Sequence, residues 1–134
     1  MGTIVVGYVP KPEGKAALRR AVQESQLRDC RLVVVNSHRG GREFDQEDAL
    51  DTQEQLDDVR SELGTSGVDH EIRQLVRGKD PADDLVAVAD EVGAELIVIG
   101  LRRRSPVGKL ILGSNAQRVL LDAACPVLAV KAGE

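Results

Sequence analysis

The sequence predicts an α/β protein of the doubly wound class, in which helices cover both faces of a five-stranded parallel sheet. Five short apolar runs rich in Val and Ile alternate with segments of helical periodicity along the chain. Four of these runs are almost continuously apolar, which is typical of parallel strands buried on both faces. The β-α-β alternation implies right-handed crossovers between parallel strands.

The apolar runs define the strands of this sheet. The third run is more polar than the others, which suits a strand at the edge of the sheet. In chain order, the predicted strands are Thr3–Tyr8, Arg31–Ser37, His70–Val76, Glu95–Ile99 and Val127–Lys131.

Start and stop signals define two of the helices between these strands. The first, Glu13–Arg28, follows two prolines and carries its apolar residues on one face. Asp80 and Pro81 are typical of the N-cap and first position of a later helix, which Gly93 is expected to end.

The last helix is predicted over Asn115–Asp122. Ser114 precedes it and Gln117 lies three residues further on, which is the spacing of a capping box. The residues expected to be buried by this helix are Val119, Leu120 and Ala123.

The segment Asp45–Gly64 is strongly acidic. Eight of the sixteen residues in Glu43–Asp58 are Asp or Glu, while Leu56, Val59 and Leu63 form a narrow helical stripe. This pattern favours a solvated helix. The alternative interpretation is an acidic docking surface for an unidentified protein partner.

Composition limits the partners of the chain. With 134 residues and 42% apolar content, it is expected to form one domain over residues 1–134. The net charge is −4 and the aromatic residues are Tyr8 and Phe44 alone, so nucleic acid is not an expected partner. No apolar run approaches the roughly 20 residues that span a bilayer, and no signal peptide is recognised. The expected location is therefore the cytoplasm, with no membrane partner.

Cysteine and histidine predict neither a metal site nor a catalytic one. Cys30 and Cys125 are far apart and flank predicted strands, so we expect reduced, packed thiols. His38 and His70 lie on different segments without a neighbouring ligand pattern, so no metal site is predicted. No catalytic residue is predicted.

The segment Gly100–Ser114 carries most of the functional information. It contains three glycines and four cations, and it lies between a predicted strand and a predicted helix. Glycines allow close backbone approach to an anion, and a helix N-terminus offers free N–H groups to a phosphate. Ligands of doubly wound sheets bind where the strand order reverses, so Gly7–Pro12 and Gly100–Gly113 are expected to face each other across one crevice.

The spacing within this segment resembles the universal stress protein family. Those domains carry a glycine, two residues, a second glycine, nine residues, and then Gly-Ser or Gly-Thr. This chain has Gly100, then Arg103 at the position of the second glycine, then nine residues, and then Gly113 and Ser114. The closing sequence Ala124–Lys131 fits as well, and the resemblance covers essentially the whole chain.

The resemblance implies a fold, a ligand and an assembly. The expected strand order is 3-2-1-4-5, the expected assembly is a homodimer through Val127–Lys131, and the expected ligand is ATP or AMP, with or without Mg²⁺. Carried over residue by residue, it implies nucleotide contacts at Gly7, Tyr8, Val9, Val35, Gly100, Arg102, Arg103, Gly113, Ser114, Asn115 and Ala116.

The carried-over residues have different expected roles. The Gly7–Val9 segment and the backbone of Val35 would border the adenine, with the former also reaching the ribose. Gly100, Arg102 and Arg103 would line the ribose and phosphate channel. The start of the last helix would bind the phosphates.

Two positions depart from the family pattern. Val9 stands where nucleotide-binding members usually have an aspartate, which removes a partner for ribose hydroxyls or metal; Lys11 or Glu13 could partly replace it. Arg103 stands in place of a glycine. Its guanidinium could clamp a phosphate bidentately, or it could fill the space that the phosphate needs.

Three hypotheses follow. The first is a cytoplasmic dimeric domain that binds an adenine nucleotide and acts in the stress response by binding rather than catalysis. The second is a dimeric interaction module of the same fold that binds no nucleotide, which Val9 and Arg103 favour. The third is a slow ATP hydrolase, for which Asp80 is the one carboxylate we would mutate.

Overall fold

The computed structural model describes residues 2–38, 46–76, 80–101 and 113–132. They form a five-stranded parallel sheet in the order β3-β2-β1-β4-β5, which confirms the predicted fold class and strand order. The elements are β1 (Thr3–Gly7), α1 (Pro12–Arg28), β2 (Arg31–His38), α2 (Gln46–Ser66), β3 (His70–Val76), α3 (Pro81–Val92), β4 (Leu96–Leu101), α4 (Ser114–Asp122) and β5 (Val127–Lys131).

Side-chain alternation along β1 divides the core into two layers. Ile4 and Val6 pack with residues of α1 and α2 on one face of the sheet. Val5 packs with residues of α3 and α4 on the other face. All three side chains are fully buried, because β1 lies at the centre of the sheet between β2 and β4.

Two strand ends differ from the prediction in a way that affects the site. β1 ends at Gly7, one residue earlier than expected, and β4 runs on to Leu101, two residues later than expected. Gly100 therefore lies within β4, in register with Val130 of β5, and is not part of the loop. The polar third strand is an edge strand, as predicted.

The ends of α3 are as predicted, apart from the chemistry of its cap. Asp80 is the N-cap, Pro81 is the first helical residue, and Gly93 ends the helix in the left-handed region with φ of 64°. The Asp80 side chain makes no capping hydrogen bond; it pairs with Arg118 of α4 instead.

The predicted capping box of α4 is wrong. The helix begins one residue earlier than expected, with Gly113 as N-cap and Ser114 as its first residue. Val119 is the one buried residue of α4, whereas Leu120 is 42% exposed and Ala123, just beyond the helix, is half-buried.

The apolar stripe of α2 is confirmed, since Leu56, Val59 and Leu63 are buried. Among the described helices, none is both long and apolar enough to cross a bilayer.

Candidate functional site

A cleft of about 650 Å³, counted out to the open solvent, lies at the carboxyl ends of the central strands. It lies on the α3/α4 side of the sheet, where β1 separates β2 from β4 and the strand order reverses. The position agrees with the crevice that the sequence predicts.

The cleft brings together residues from both of the expected segments. The predicted site residues that line it are Gly7, Tyr8, Val9, Val35, Gly100, Asn115 and Ala116. Gly113 and Ser114 lie at the start of α4, next to two of these residues, but are not part of the lining. Arg102 and Arg103 lie outside the described residues, as do Arg104 and Lys109 of the same loop.

The walls of the cleft are largely apolar. Val35 and Ile99 extend from neighbouring parts of the sheet, and Leu85 and Val119 close the space from the two helices. Gly7 lies on β1, between Val35 and Ile99. A Cβ atom at Gly7 would lie 3.0 Å from Cδ2 of Leu85. The missing side chain at Gly7 therefore keeps a slot open between the sheet and α3.

Two glycines beside this slot allow the backbone of neighbouring segments to approach closely. A Cβ atom at Gly100 would lie 2.0 Å from the carbonyl oxygen of Glu13, and one at Gly14 would lie 1.8 Å from the carbonyl oxygen of Val9. The first turn of α1 therefore packs directly on the end of β4 and on the segment that follows β1. Gly100 thus has a packing role that the sequence did not reveal.

The first turn of α4 presents backbone N–H groups at one end of the cleft. Asn115 and Ala116 line the cleft, and the first backbone hydrogen bond of the helix runs from the N–H of Gln117 to the carbonyl of Gly113. The N-cap residue is a glycine and provides no side-chain cap. The preceding N–H groups and the positive end of the helix dipole can therefore bind an anion.

The opposite end of the cleft carries a polar pair. Ser37 of β2 lines the cleft, and its Oγ donates a hydrogen bond of 2.5 Å to Oδ2 of Asp84 on α3. Asp84 is only 2% exposed. It lies at the start of α3, where the helix dipole favours a negative charge.

An ion-pair bridge joins the two helices that flank the cleft. The Arg118 guanidinium of α4 lies 2.6 Å from Asp80 and 3.1 Å from Asp83, both at the start of α3. These side chains are partly exposed, so the bridge is solvent-screened. It links α4 to the helix that covers the apolar slot.

Tyr8 lines the cleft just beyond the end of β1. Its ring packs on the α1/α2 face with Leu18 and Val59, and Tyr8 is only 4% exposed. Burial raises the pKa of its phenol, and the nearby carboxylates of Glu62 and Asp58 raise it further. Since the ring lies on the far face of the sheet, Tyr8 can meet a ligand in the cleft only through its backbone.

Sequence reasoning missed the part of the lining that depends on α3. Pro81 and Ala82, at the start of α3, line the cleft together with Leu85. Pro81 was recognised as a helix signal, but nothing in the local sequence showed that this helix end lies over β1 and β2. A search for small or polar residues at the carboxyl end of each predicted strand would have found Ser37, which is the last residue of the second predicted strand.

Metal-binding side chains are not clustered in the described ranges: no three His, Cys, Asp or Glu residues there are placed to hold an ion. Glu13 is the carboxylate among the described residues of the cleft lining.

The fold and the cleft together define a doubly wound α/β domain with an open cleft at its switch point. The chain belongs to the universal stress protein family, whose model matches residues 1–131. It is 47% identical over 128 residues to a universal stress protein of Mycolicibacterium smegmatis, with 96% of each chain covered.

Solved structures show the same relationship. The universal stress protein from Archaeoglobus fulgidus superposes with a TM-score of 0.85 and 43% identity, covering 98% of this chain and 99% of that one. A structure of the universal stress protein from the same organism in complex with dAMP matches with a TM-score of 0.79 and 37% identity over 98% of both chains.

Proposed function

We propose that this chain binds an adenine nucleotide in the cleft at the carboxyl ends of β1, β2 and β4, and that it acts by binding rather than by turnover. The observation that carries the proposal is a single cleft that joins an apolar slot to the N-terminus of α4, where the N-cap Gly113 provides no side-chain cap. The relative from Archaeoglobus fulgidus in complex with dAMP supports the same ligand class.

The two ends of the cleft suit the two ends of a nucleotide. The purine ring would occupy the apolar slot between Val35 and Leu85, where its faces meet aliphatic side chains. The phosphates would accept hydrogen bonds from the N–H groups at Asn115 and Ala116. Arg102 and Arg103 would then neutralise the phosphate charge, as the sequence suggests.

The ribose would lie near the start of α1. Val9 offers no polar group there, but Glu13 lines the cleft and has a carboxylate. We assign to Glu13 the contact with the ribose hydroxyls, or with Mg²⁺ when ATP is bound. Lys11 is not among the described residues that line the cleft.

A homodimer through β5 completes the proposal. β5 lies at the edge of the sheet, and its Leu128 and Val130 are only partly buried. Leu120 and Leu121 of the preceding helix are 42% and 83% exposed. Within the part of the chain that the structure describes, β5 pairs with β4 alone, so a second copy could pair along its outer edge. Sedimentation across a concentration series measures this assembly. The expected compartment is the cytoplasm, which fractionation of expressing cells would test.

Thermal melting with AMP, ATP and ATP plus Mg²⁺ tests nucleotide binding. Because a ligand that binds the native state stabilises it by mass action, a concentration 100 times Kd raises the unfolding free energy by about 2.7 kcal/mol. We expect Tm to rise and then saturate as the nucleotide concentration increases. Inorganic phosphate at the same ionic strength should leave Tm unchanged. An unchanged Tm at millimolar nucleotide would contradict the proposal and favour the interaction module.

A charge variant separates binding from folding. Asn115→Asp places a carboxylate in the first turn of α4, where the helix dipole stabilises it by about 0.3–1 kcal/mol. The same carboxylate would repel a phosphate, so we expect a stable protein with nucleotide affinity reduced at least tenfold. Gln23→Glu, which adds the same charge to an exposed position of α1, is the control. Equal affinities of the two variants would place the phosphates elsewhere.

A further inference from the structure

The hydrogen bond between Ser37 and Asp84 has a direction that chemistry fixes. An ionised carboxylate can only accept hydrogen bonds, whereas a serine hydroxyl has one proton to donate and two lone pairs. The 2.5 Å separation of Ser37 Oγ and Asp84 Oδ2 is typical of an O–H donor on a carboxylate. The single proton of Ser37 is therefore directed at Asp84.

The consequence for the cleft is a hydroxyl oxygen of fixed polarity. Ser37 lines the cleft, and with its proton held by Asp84 it can offer a ligand only lone pairs. Asp84 is only 2% exposed and is held in the packed start of α3, so water does not compete freely for its carboxylate. The pair therefore presents a hydrogen-bond acceptor, and not a donor, to whatever occupies this end of the cleft.

This end of the cleft is where the proposed function places the base. Ser37 is two residues beyond Val35 on β2, so both side chains are on the same face of the sheet and about 6.6 Å apart along the strand. The N-terminus of α4 follows β4, on the other side of β1. A nucleotide with its phosphates at α4 thus directs the far edge of its purine toward Ser37.

We propose that the Ser37–Asp84 pair selects 6-amino purine nucleotides over 6-oxo purine nucleotides. The exocyclic amino group of adenine donates hydrogen bonds, whereas the oxygen at the same position of guanine or hypoxanthine accepts them. A 6-oxo group would face the lone pairs of Ser37 and leave both acceptors unpaired in a partly desolvated site. Sites that hydrogen-bond a substrate group discriminate strongly against analogues without it. Ser37 is the specificity-determining contact, and Asp84 is a positioning residue that acts through it.

The inference rests on the proposed function, and its test compares AMP with IMP by titration calorimetry. These nucleotides differ at the position that Ser37 would read. For the unaltered protein, we expect AMP to bind at least tenfold more tightly than IMP. Ser37→Ala should bring the two affinities to within about threefold of each other. Asp84→Asn should also reduce the ratio, because an amide can donate to Ser37 and release its proton toward the ligand.

The control is Asp90→Asn, which makes the same chemical change on an exposed turn of the same helix. It should leave the ratio of affinities unchanged. Melting curves establish that each variant is folded, and Ser37→Ala alone decides the matter if Asp84→Asn does not fold. Equal binding of AMP and IMP by the unaltered protein, or an unchanged ratio in Ser37→Ala, would overturn this inference and leave nucleotide binding intact. Binding of neither nucleotide would instead remove the proposed function.

Discussion

At the carboxyl end of β1, the α1/α2 face of the sheet is closed, whereas the α3/α4 face is open. On the α1/α2 face, the ring of Tyr8 fills the space beneath α2 and is almost fully buried. On the α3/α4 face, the adjacent residue is Gly7, which leaves the cleft open above Val35 and Ile99. Because side chains alternate between faces, one large residue and one glycine in succession close one layer and open the other. The comparison shows that a site can be made by omitting a side chain from an otherwise packed core.

The largest expected loss of stability comes from pushing the first turn of α1 away from the end of β4. Gly100→Ala would place a Cβ atom 2.0 Å from the backbone oxygen of Glu13, which cannot move without shifting α1. We expect the unfolding free energy to fall by about 3 kcal/mol, at the upper end of overpacking effects. The control is Gly64→Ala on α2, where an added Cβ meets nothing within 4 Å. It should raise stability by roughly 0.5–1 kcal/mol. Urea unfolding measures both, and a neutral Gly100→Ala would show that α1 does not pack as described.

A matched pair of variants tests the contrast between Tyr8 and Gly7 directly. Tyr8→Ala empties the closed layer and should cost about 3 kcal/mol of unfolding free energy, with little effect on nucleotide affinity. Gly7→Val fills the cleft against the movable end of Leu85 and should cost less than about 1.5 kcal/mol. It should reduce nucleotide affinity at least tenfold. The reverse pattern in melting and calorimetry would contradict the assignment of the two faces.

A smaller loss of stability is expected from breaking the ion pairs between α3 and α4 on the open face. Arg118→Ala removes the bridge to Asp80 and Asp83, which are partly exposed, so the loss should be about 0–1 kcal/mol. The loss should nearly disappear in 1 M salt, where charges are screened within about 3 Å. Arg60→Ala, which removes an exposed pair with Asp57 on α2, is the control. Urea unfolding at two salt concentrations measures the difference, and a salt-independent loss would point to packing instead.

The smallest expected effect on stability comes from Cys30, because it is confined to alkaline pH. Cys30 lies before β2, in the core layer on the α1/α2 face. Burial, and after it the hydrogen bond to Glu95, raise the pKa of its thiol from 9.0 to about 11. Between about pH 9 and pH 11 the unfolded chain therefore loses the thiol proton that the folded chain keeps, and the unfolding free energy falls as pH rises. Cys30→Ala should make this decline shallower. Equal slopes for the two proteins in alkaline urea titrations would exclude the shift.

Much of this architecture could be predicted from local sequence, because it depends on short-range rules. Continuous apolar runs identified the buried strands, and Asp80–Pro81 with Gly93 marked the ends of α3. The narrow apolar stripe of α2 was also predictable, although half of the surrounding residues are acidic. The start of α4 was misjudged by one residue, because both Gly113 and Ser114 are acceptable N-caps by residue type.

By itself, therefore, the sequence determined the fold class, the family and the strand end at Gly100 that borders the cleft. Only the tertiary structure placed Ser37 beside Asp84 and Gly100 against Glu13, since these pairs lie 47 and 87 residues apart along the chain. Periodicity describes which face a residue occupies, but not which residue of another element meets it there. That meeting depends on how α1 and α3 are docked on the sheet, and the docking is decided by close packing over the whole core.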